Sequence, residues 1–288
     1  MNTPIDRELP QNAYDADRLF DFPQPDAARP ETSVRGLVEH SVLQCTRLLR
    51  RWSRDPATMI QALLYPALTL VMFRLVLGDS ITAATGQSAI YGNVPLIALI
   101  GAMFGSVVSA VGLRDERKNG LVSRFWAMPV HRASGLVGRL MAEAVRILAT
   151  TVLIVVVGFA LGFRFQQGLV PGLVMFSIPI LFGVGFAVMV TALAVVAGDA
   201  PLVETVSIIC TLLMFFNSGF VPVMAYPEWL QPIVQYQPLS CAIDTMKGLS
   251  LGGPVLEPLL LTCAWSIGMI AVFVYPAVRG YRRAAALN

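Results

Sequence analysis

Six long apolar segments constrain the fold of this chain more than any other feature. An α-helix needs about 20 apolar residues to cross a bilayer, and it satisfies its own backbone hydrogen bonds where water is absent. Only 14% of the 288 residues are charged, against about 25% in a typical soluble domain. The sequence therefore predicts an all-α membrane protein with six transmembrane helices. Their expected ranges are 57–77, 94–113, 144–163, 170–197, 202–221 and 255–278.

Lysine and arginine are distributed unevenly between these segments. If the N-terminus is cytoplasmic, 18 of the 21 basic residues lie on the inner side, and only Arg74, Arg164 and Lys247 lie outside. Basic residues concentrate in cytoplasmic loops, so we expect a multi-pass protein of the plasma membrane with both termini cytoplasmic. The polar segment 1–33 lacks the apolar core of a signal peptide, and its composition predicts a disordered cytoplasmic tail.

Residues 34–54 combine apolar side chains at helical spacing with five arginines. This pattern predicts an amphipathic helix at the inner membrane surface, held by apolar burial and by anionic lipid headgroups. The simpler alternative is a basic flank of the first transmembrane helix.

The inner loop 114–135 begins with charged residues and continues as an amphipathic segment. A short rigid helix at this place could carry a displacement from a soluble motor into the membrane, which a flexible loop could not do. The alternative is an ordinary basic cytoplasmic loop.

The segment 218–254 is rich in proline and in apolar residues. This composition predicts short broken helices in the outer leaflet, with Tyr226, Trp229 and Tyr236 at the level of the headgroups. The alternative is an exposed extracellular loop. The five prolines are Pro222, Pro227, Pro232, Pro238 and Pro254.

Several function classes lack their motifs. Neither lysine follows a glycine, so the phosphate-binding loop of ATPases is absent. His40 and His131 are isolated, and no cysteine pair has zinc-ligand spacing, so neither a catalytic nor a metal site is predicted. No basic domain suited to nucleic acid is present.

Ionisable residues inside a membrane are costly and are therefore candidates for function. Glu143 and Arg146 begin the third segment and could pair on one helix face, although we expect them at the level of the inner headgroups. Asn217 is an amide deep in a late segment. The middles of the segments hold almost no acidic residues, which disfavours the alternative of an ion- or proton-coupled secondary transporter.

Two motifs flank the later segments of the chain. The first follows the second segment and reads Glu116, Arg117, Gly120, Arg124 and Pro129, and the second precedes the last segment and reads Gly219, Pro222, Pro227, Trp229, Pro232 and Pro238. In this order they resemble the membrane subunits of type-2 ABC exporters, and most of all the daunorubicin-resistance (Drr-type) permeases. The resemblance covers about residues 34–283.

The resemblance implies a heteromeric exporter for a hydrophobic or amphiphilic cargo, either a complex lipid or a lipophilic drug. A separate ATPase subunit would carry ATP and Mg, and a second membrane subunit would be identical or related. The first motif would dock on the ATPase, with residues 34–54 as a connecting helix near that interface. The second motif would form an outer re-entrant hairpin. The stretches VHRASGLVGR and GFRFQQGL resemble mycobacterial permeases for complex lipids of the phthiocerol dimycocerosate type.

Overall fold

The computed structural model describes residues 33–120, 131, 133–196 and 202–286, and within these ranges every regular element is a helix. The all-α prediction is confirmed for this part of the chain. A π-helical turn (Ile60–Leu64) and a 3₁₀ turn (Val223–Ala225) accompany the α-helices. The helices are α1 (Val34–Arg54), α2 (Pro56–Met59), α3 (Tyr65–Val76), α4 (Gly78–Thr85), α5 (Ile90–Lys118), α6 (Ser134–Ala160), α7 (Leu169–Met175), α8 (Ser177–Val196), α9 (Leu202–Phe215), α10 (Gln231–Tyr236), α11 (Pro238–Leu251) and α12 (Leu256–Ala286).

Four helical stretches are long and apolar enough to cross a membrane. They are Ile90–Lys118, Ser134–Ala160, Leu169–Val196 and Leu256–Gly280. Two apolar helices, Ile60–Val76 and Thr205–Phe215, are shorter. Both correspond to predicted segments, the first and the fifth, so the count of six transmembrane helices stays a prediction.

Helix α5 forms the centre of the bundle. Every residue from Ile90 to Met103 is buried, and α3, α6, α8, α9 and α11 all pack against this helix. Helix α12 packs along α8 at the edge of the bundle. Large apolar side chains such as Leu68 of α3 and Val272 of α12 are exposed, as expected for helices that face lipid or another membrane subunit.

The amphipathic segment is helical, and α1 packs against α6. The two backbones approach closely at Gly138, where a Cβ would lie only 2.7 Å from the carbonyl oxygen of Ser41. Small residues such as glycine permit this kind of contact. The position of α1 at the membrane surface stays a prediction. The expected tail lies outside the described residues except for Ser33, whose hydroxyl accepts a hydrogen bond from the N–H of Gly36 at the start of α1.

Two helix boundaries differ from the sequence-based ranges. Helix α6 begins at Ser134, ten residues before the predicted start at 144, because charged side chains in its first half are buried in ion pairs. Helix α9 ends at Phe215, before the predicted 221, because the following residues turn back around Asn217. Hydropathy therefore underestimates the length of α6 and overestimates the length of α9.

Candidate functional site

Glu116, the first acidic residue of the predicted coupling motif, lies buried at the inner end of α5. Its Oε2 is 2.5 Å from Nη2 of Arg139 on α6, and its Oε1 is 2.8 Å from Nη1 of Arg51 on α1. Arg47, also on α1, lies 3.7 Å from the same Oε1. We call these four residues the Glu116 cluster. A buried carboxylate is tolerated only when it is paired, so the cluster fixes α1, α5 and α6 relative to one another.

Two more residues of the motif extend this junction. Arg117 donates a hydrogen bond of 3.0 Å to the carbonyl oxygen of Val195, in the last turn of α8, where helix carbonyls favour a cation. Gly120 follows α5 with φ +67°, a left-handed conformation that glycine adopts without steric cost. Arg124 and Pro129 lie outside the described residues.

The two histidines that are isolated in sequence meet in the structure. Nδ1 of His40 on α1 accepts a hydrogen bond of 3.1 Å from the backbone N–H of His131. The far end of the 114–135 loop is therefore attached to α1, as its near end is attached through the Glu116 cluster. The described ends of this loop therefore contact α1, α6 and α8.

Glu143 and Arg146 form an ion pair inside the bundle. Oε2 of Glu143 lies 3.0 Å from Nε and 2.6 Å from Nη2 of Arg146, and the two residues are 1% and 8% exposed. The guanidinium also donates to the carbonyl oxygens of Gly101 and Ala102 on α5. A Cβ at Gly105 would overlap this guanidinium. The predicted pairing is confirmed, and both side chains are enclosed by protein.

The outer segment after α9 is organised by the buried side chain of Asn217. Its Oδ1 accepts hydrogen bonds from the N–H groups of Gly219, at 2.7 Å, and Phe220, at 3.3 Å. The Gly219 carbonyl lies against α5, where a Cβ on Gly92 would overlap its oxygen. Gly219 of the second motif thus sits at a backbone-to-backbone contact that a larger residue at position 92 would disrupt.

The prolines of the second motif stand at the beginnings of short elements. Pro222 precedes the 3₁₀ turn, Pro232 lies in the first turn of α10, and Pro238 begins α11. Proline is favoured at such positions because its fixed φ suits the first turn and its missing N–H costs no hydrogen bond there. Pro227 lies between the 3₁₀ turn and α10. Trp229 is 72% exposed.

A polar pair that the sequence reasoning missed lies on α11, outside the four candidate spans. Nζ of Lys247 donates to the carbonyl oxygen of Ser218 and lies 3.8 Å from Oδ1 of Asp244. Burial raises the pKa of Asp244 and lowers the pKa of Lys247, and the attraction between the two charges partly opposes both shifts. The i, i+3 spacing was the available signal.

The described residues bring no three histidine, cysteine, aspartate or glutamate side chains together in a way that could hold a metal ion. The cysteines are free thiols there, and burial raises the pKa of the Cys241 thiol to about 11. Buried charged groups of the described bundle instead form ion pairs, between helices in the Glu116 cluster and within α6 at Glu143 and Arg146.

Long apolar helices joined by buried ion pairs define a multi-pass helical membrane protein. Residues 42–250 match the ABC-2 type transporter family, and the chain belongs to that family. It is 43% identical over 255 residues to the probable doxorubicin resistance ABC transporter permease protein DrrC of Mycobacterium tuberculosis, an alignment that covers 88% of this chain and 92% of DrrC. The resemblance to Drr-type permeases is thereby confirmed.

More distant relatives agree with this assignment. The daunorubicin resistance ABC transporter permease protein DrrB1 of Streptomyces coeruleorubidus is 26% identical over 246 residues, which cover 85% of this chain and 87% of DrrB1. The doxorubicin resistance permease protein DrrB of Mycobacterium tuberculosis is 25% identical over 213 residues, covering 66% of this chain and 69% of DrrB. These relatives are permease proteins of ABC transporters.

Proposed function

We propose that this chain is the membrane permease subunit of an ATP-driven exporter that moves a hydrophobic or amphiphilic molecule out across the plasma membrane. The carrying observation is the 43% identity to a probable doxorubicin resistance permease over nearly the whole of both chains. The cargo would be a lipophilic drug or a complex lipid. Six transmembrane helices and cytoplasmic termini complete the proposed arrangement.

ATP and Mg would bind to a separate ATPase subunit, because the sequence has no phosphate-binding loop. The ATPase would dock on the 114–135 loop, and the Glu116 cluster would pass the displacement to α1, α5 and α6. ATP binding can shift the membrane helices only if the docked ATPase contacts their two arrangements differently. Ion pairs that join several helices at the docking point supply such a connection.

A second membrane subunit, identical or related, would complete the translocation path. The exposed apolar faces of the bundle support this proposal, since they suit either lipid or another membrane helix. The segment 218–254 would act as the outer re-entrant hairpin of each subunit.

Two matched glycine variants test ATPase docking. Gly120 and Gly86 both follow a helix with φ near +70°, so alanine strains both by a similar amount. Gly120 would face the ATPase, whereas Gly86 lies in the predicted outer loop. We expect affinity purification of the tagged wild-type chain in mild detergent to recover an ABC ATPase subunit. Gly120→Ala should reduce that recovery about tenfold, and Gly86→Ala should leave it unchanged.

The recovered complex should also hydrolyse ATP and export doxorubicin from loaded vesicles. Recovery of no ATPase with the wild-type chain, or export by the purified chain without one, would contradict the proposed division of labour. Equal losses in both glycine variants would indicate general damage to the fold and would assign no docking role to Gly120.

A further inference from the structure

A cavity of about 420 Å³ lies beside the Glu143–Arg146 pair. It is lined by the π-helical turn and α3 on one side and by α5 on the other, with Trp52 of α1, Arg146 of α6 and Met214 of α9. It opens to the surface, since the lining residue Tyr65 is exposed. Its size is within the range of about 300–1,000 Å³ that small-molecule sites occupy. The lining is mainly apolar and includes Ile97, Phe104 and Val108.

The small residues of α5 create the polar part of this wall. Gly101 and Gly105 both line the cavity. A side chain at Gly105 would displace the guanidinium of Arg146, so glycine allows the cation to lie flat against α5. Such a close approach buries the charge without filling the cavity.

The hydrogen bonds of Arg146 indicate which chemical group the cavity can bind beside this residue. Arginine has five N–H groups. Four have acceptors among the described residues, namely Glu143 twice, Gly101 and Ala102. One N–H on Nη1 has none, while the positive charge is already balanced by Glu143. The wall therefore offers this N–H without a net charge, beside the polar groups of Trp52, Gln61, Tyr65, Thr69 and Ser109.

We propose that this cavity binds the apolar part of the exported molecule, with an uncharged acceptor such as a ketone, quinone or ester carbonyl on Arg146. A pure hydrocarbon surface, including an apolar helix of a second subunit, would leave that buried donor unpaired. A carboxylate or phosphate would bring an unbalanced charge into an apolar site. This inference rests on the proposed export function and names the chemistry of its cargo.

Two valines on α5 provide a matched test. Val108 lines the cavity, and Val111 does not, yet both are similarly exposed, at 44% and 43%. Val108→Trp should fill the cavity, whereas Val111→Trp adds the same bulk outside it. We would measure the binding of doxorubicin, a fluorescent quinone whose protonated amino sugar would have to stay outside the apolar site, to the full chain in phospholipid nanodiscs by fluorescence anisotropy. The expected result is binding about tenfold weaker in Val108→Trp and within twofold of wild type in Val111→Trp.

Arg146→Lys is a second variant that keeps the charge beside Glu143 and removes the planar fork of donors. It should weaken doxorubicin binding severalfold. Competition with a long-chain fatty ester and with an alkane of the same length tests whether the carbonyl of a lipid can bind at Arg146 in place of the carbonyl of a drug. The ester should displace doxorubicin, the alkane should not, and a failure of the ester restricts the site to drug-like carbonyls.

Three results would overturn the cavity proposal. They are no saturable binding above empty nanodiscs, equal binding in wild type and Val108→Trp, and equal displacement by alkane and ester, which would indicate a lipid-chain or helix-packing site. Recovery of the ATPase is measured separately on the same variants. Loss of the cavity site with normal ATPase recovery would leave the proposed function intact, and the reverse pattern would contradict only that function.

Discussion

Glu116 is the residue on which the inner end of this molecule depends most. A single carboxylate, 6% exposed, has three arginines around it, and the closest, Arg139, is itself buried. Arg139 also donates to the backbone carbonyl and hydroxyl oxygens of Ser109. Removal of the negative charge would leave at least one buried cation without a charged partner, which costs more than the loss of an exposed ion pair.

Glu116→Gln should therefore destabilise the protein strongly. An unpaired buried charge costs about 3–5 kcal/mol, which corresponds to an apparent melting temperature lower by about 6–10 °C. Glu39→Gln is the matched control, because Glu39 forms an exposed i, i+4 pair with Arg35 on α1 worth about 0.3–0.5 kcal/mol. Thermal unfolding of both variants in detergent checks this prediction. A Glu116→Gln protein that melts with the control would show that the cluster contributes nothing.

The sequence indicated local pairs of residues but not partners that are distant along the chain. The motif singled out Glu116, whose coupling role stays a prediction, but its partners Arg47, Arg51 and Arg139 come from other helices and share no spacing with it. Glu143 and Arg146 are three residues apart, so their pairing could be predicted. Their enclosure could not, because it depends on glycines of α5 that are distant in sequence.

At the scale of elements, the existence of the apolar helices was predictable and their ends were not. Hydropathy placed the start of the third helix at 144, since it counts every charged residue as a cost. In the bundle, Arg139, Glu143 and Arg146 are paired, and α6 begins ten residues earlier. The π-helical turn between α2 and α3 lies just before Pro66. Proline has no N–H to donate to the residue four positions earlier, and the carbonyl of Ala62 accepts a hydrogen bond from Thr150 instead. Pro66 was therefore the available signal for a disturbed helix at this place.

The contact between α5 and the outer segment yields a test at this scale. Gly92→Ala would push the Gly219 carbonyl away from α5, and overpacking of this kind costs about 1–3 kcal/mol. Gly112→Ala on the same helix is the control, because a Cβ there meets no atom within 4 Å. Alanine at position 112 should be neutral or stabilise the helix by up to about 1 kcal/mol.

Thermal unfolding and doxorubicin export should both be impaired in Gly92→Ala and normal in Gly112→Ala. If Gly92→Ala behaves as its control does, the outer segment can move away from α5 without consequence. In that case, the close contact between Gly92 and Gly219 would not hold the proposed hairpin in place.

At the scale of the whole molecule, the unequal distribution of basic residues is the strongest indication of the orientation of the chain in the membrane. The positions 35 and 79 lie on opposite sides of the first apolar segment, and the side chains of Arg35 and Asp79 are 76% and 97% exposed. If the rule that basic residues stay inside holds for this chain, position 35 is cytoplasmic and position 79 is external. A single α2–α3 crossing, short as it is, would separate them.

Cysteine labelling decides this orientation. The native thiols Cys45, Cys210, Cys241 and Cys263 would first be replaced by alanine, and Arg35→Cys and Asp79→Cys would then be made separately. A membrane-impermeant maleimide should label Asp79→Cys in intact cells and Arg35→Cys only after the membrane is permeabilised. Labelling of Arg35→Cys alone in intact cells would reverse the topology. Labelling of both would mean that α2–α3 does not cross the bilayer. It would also place the Glu116 cluster, to which α1 contributes Arg47 and Arg51, on the side where no ATP is available.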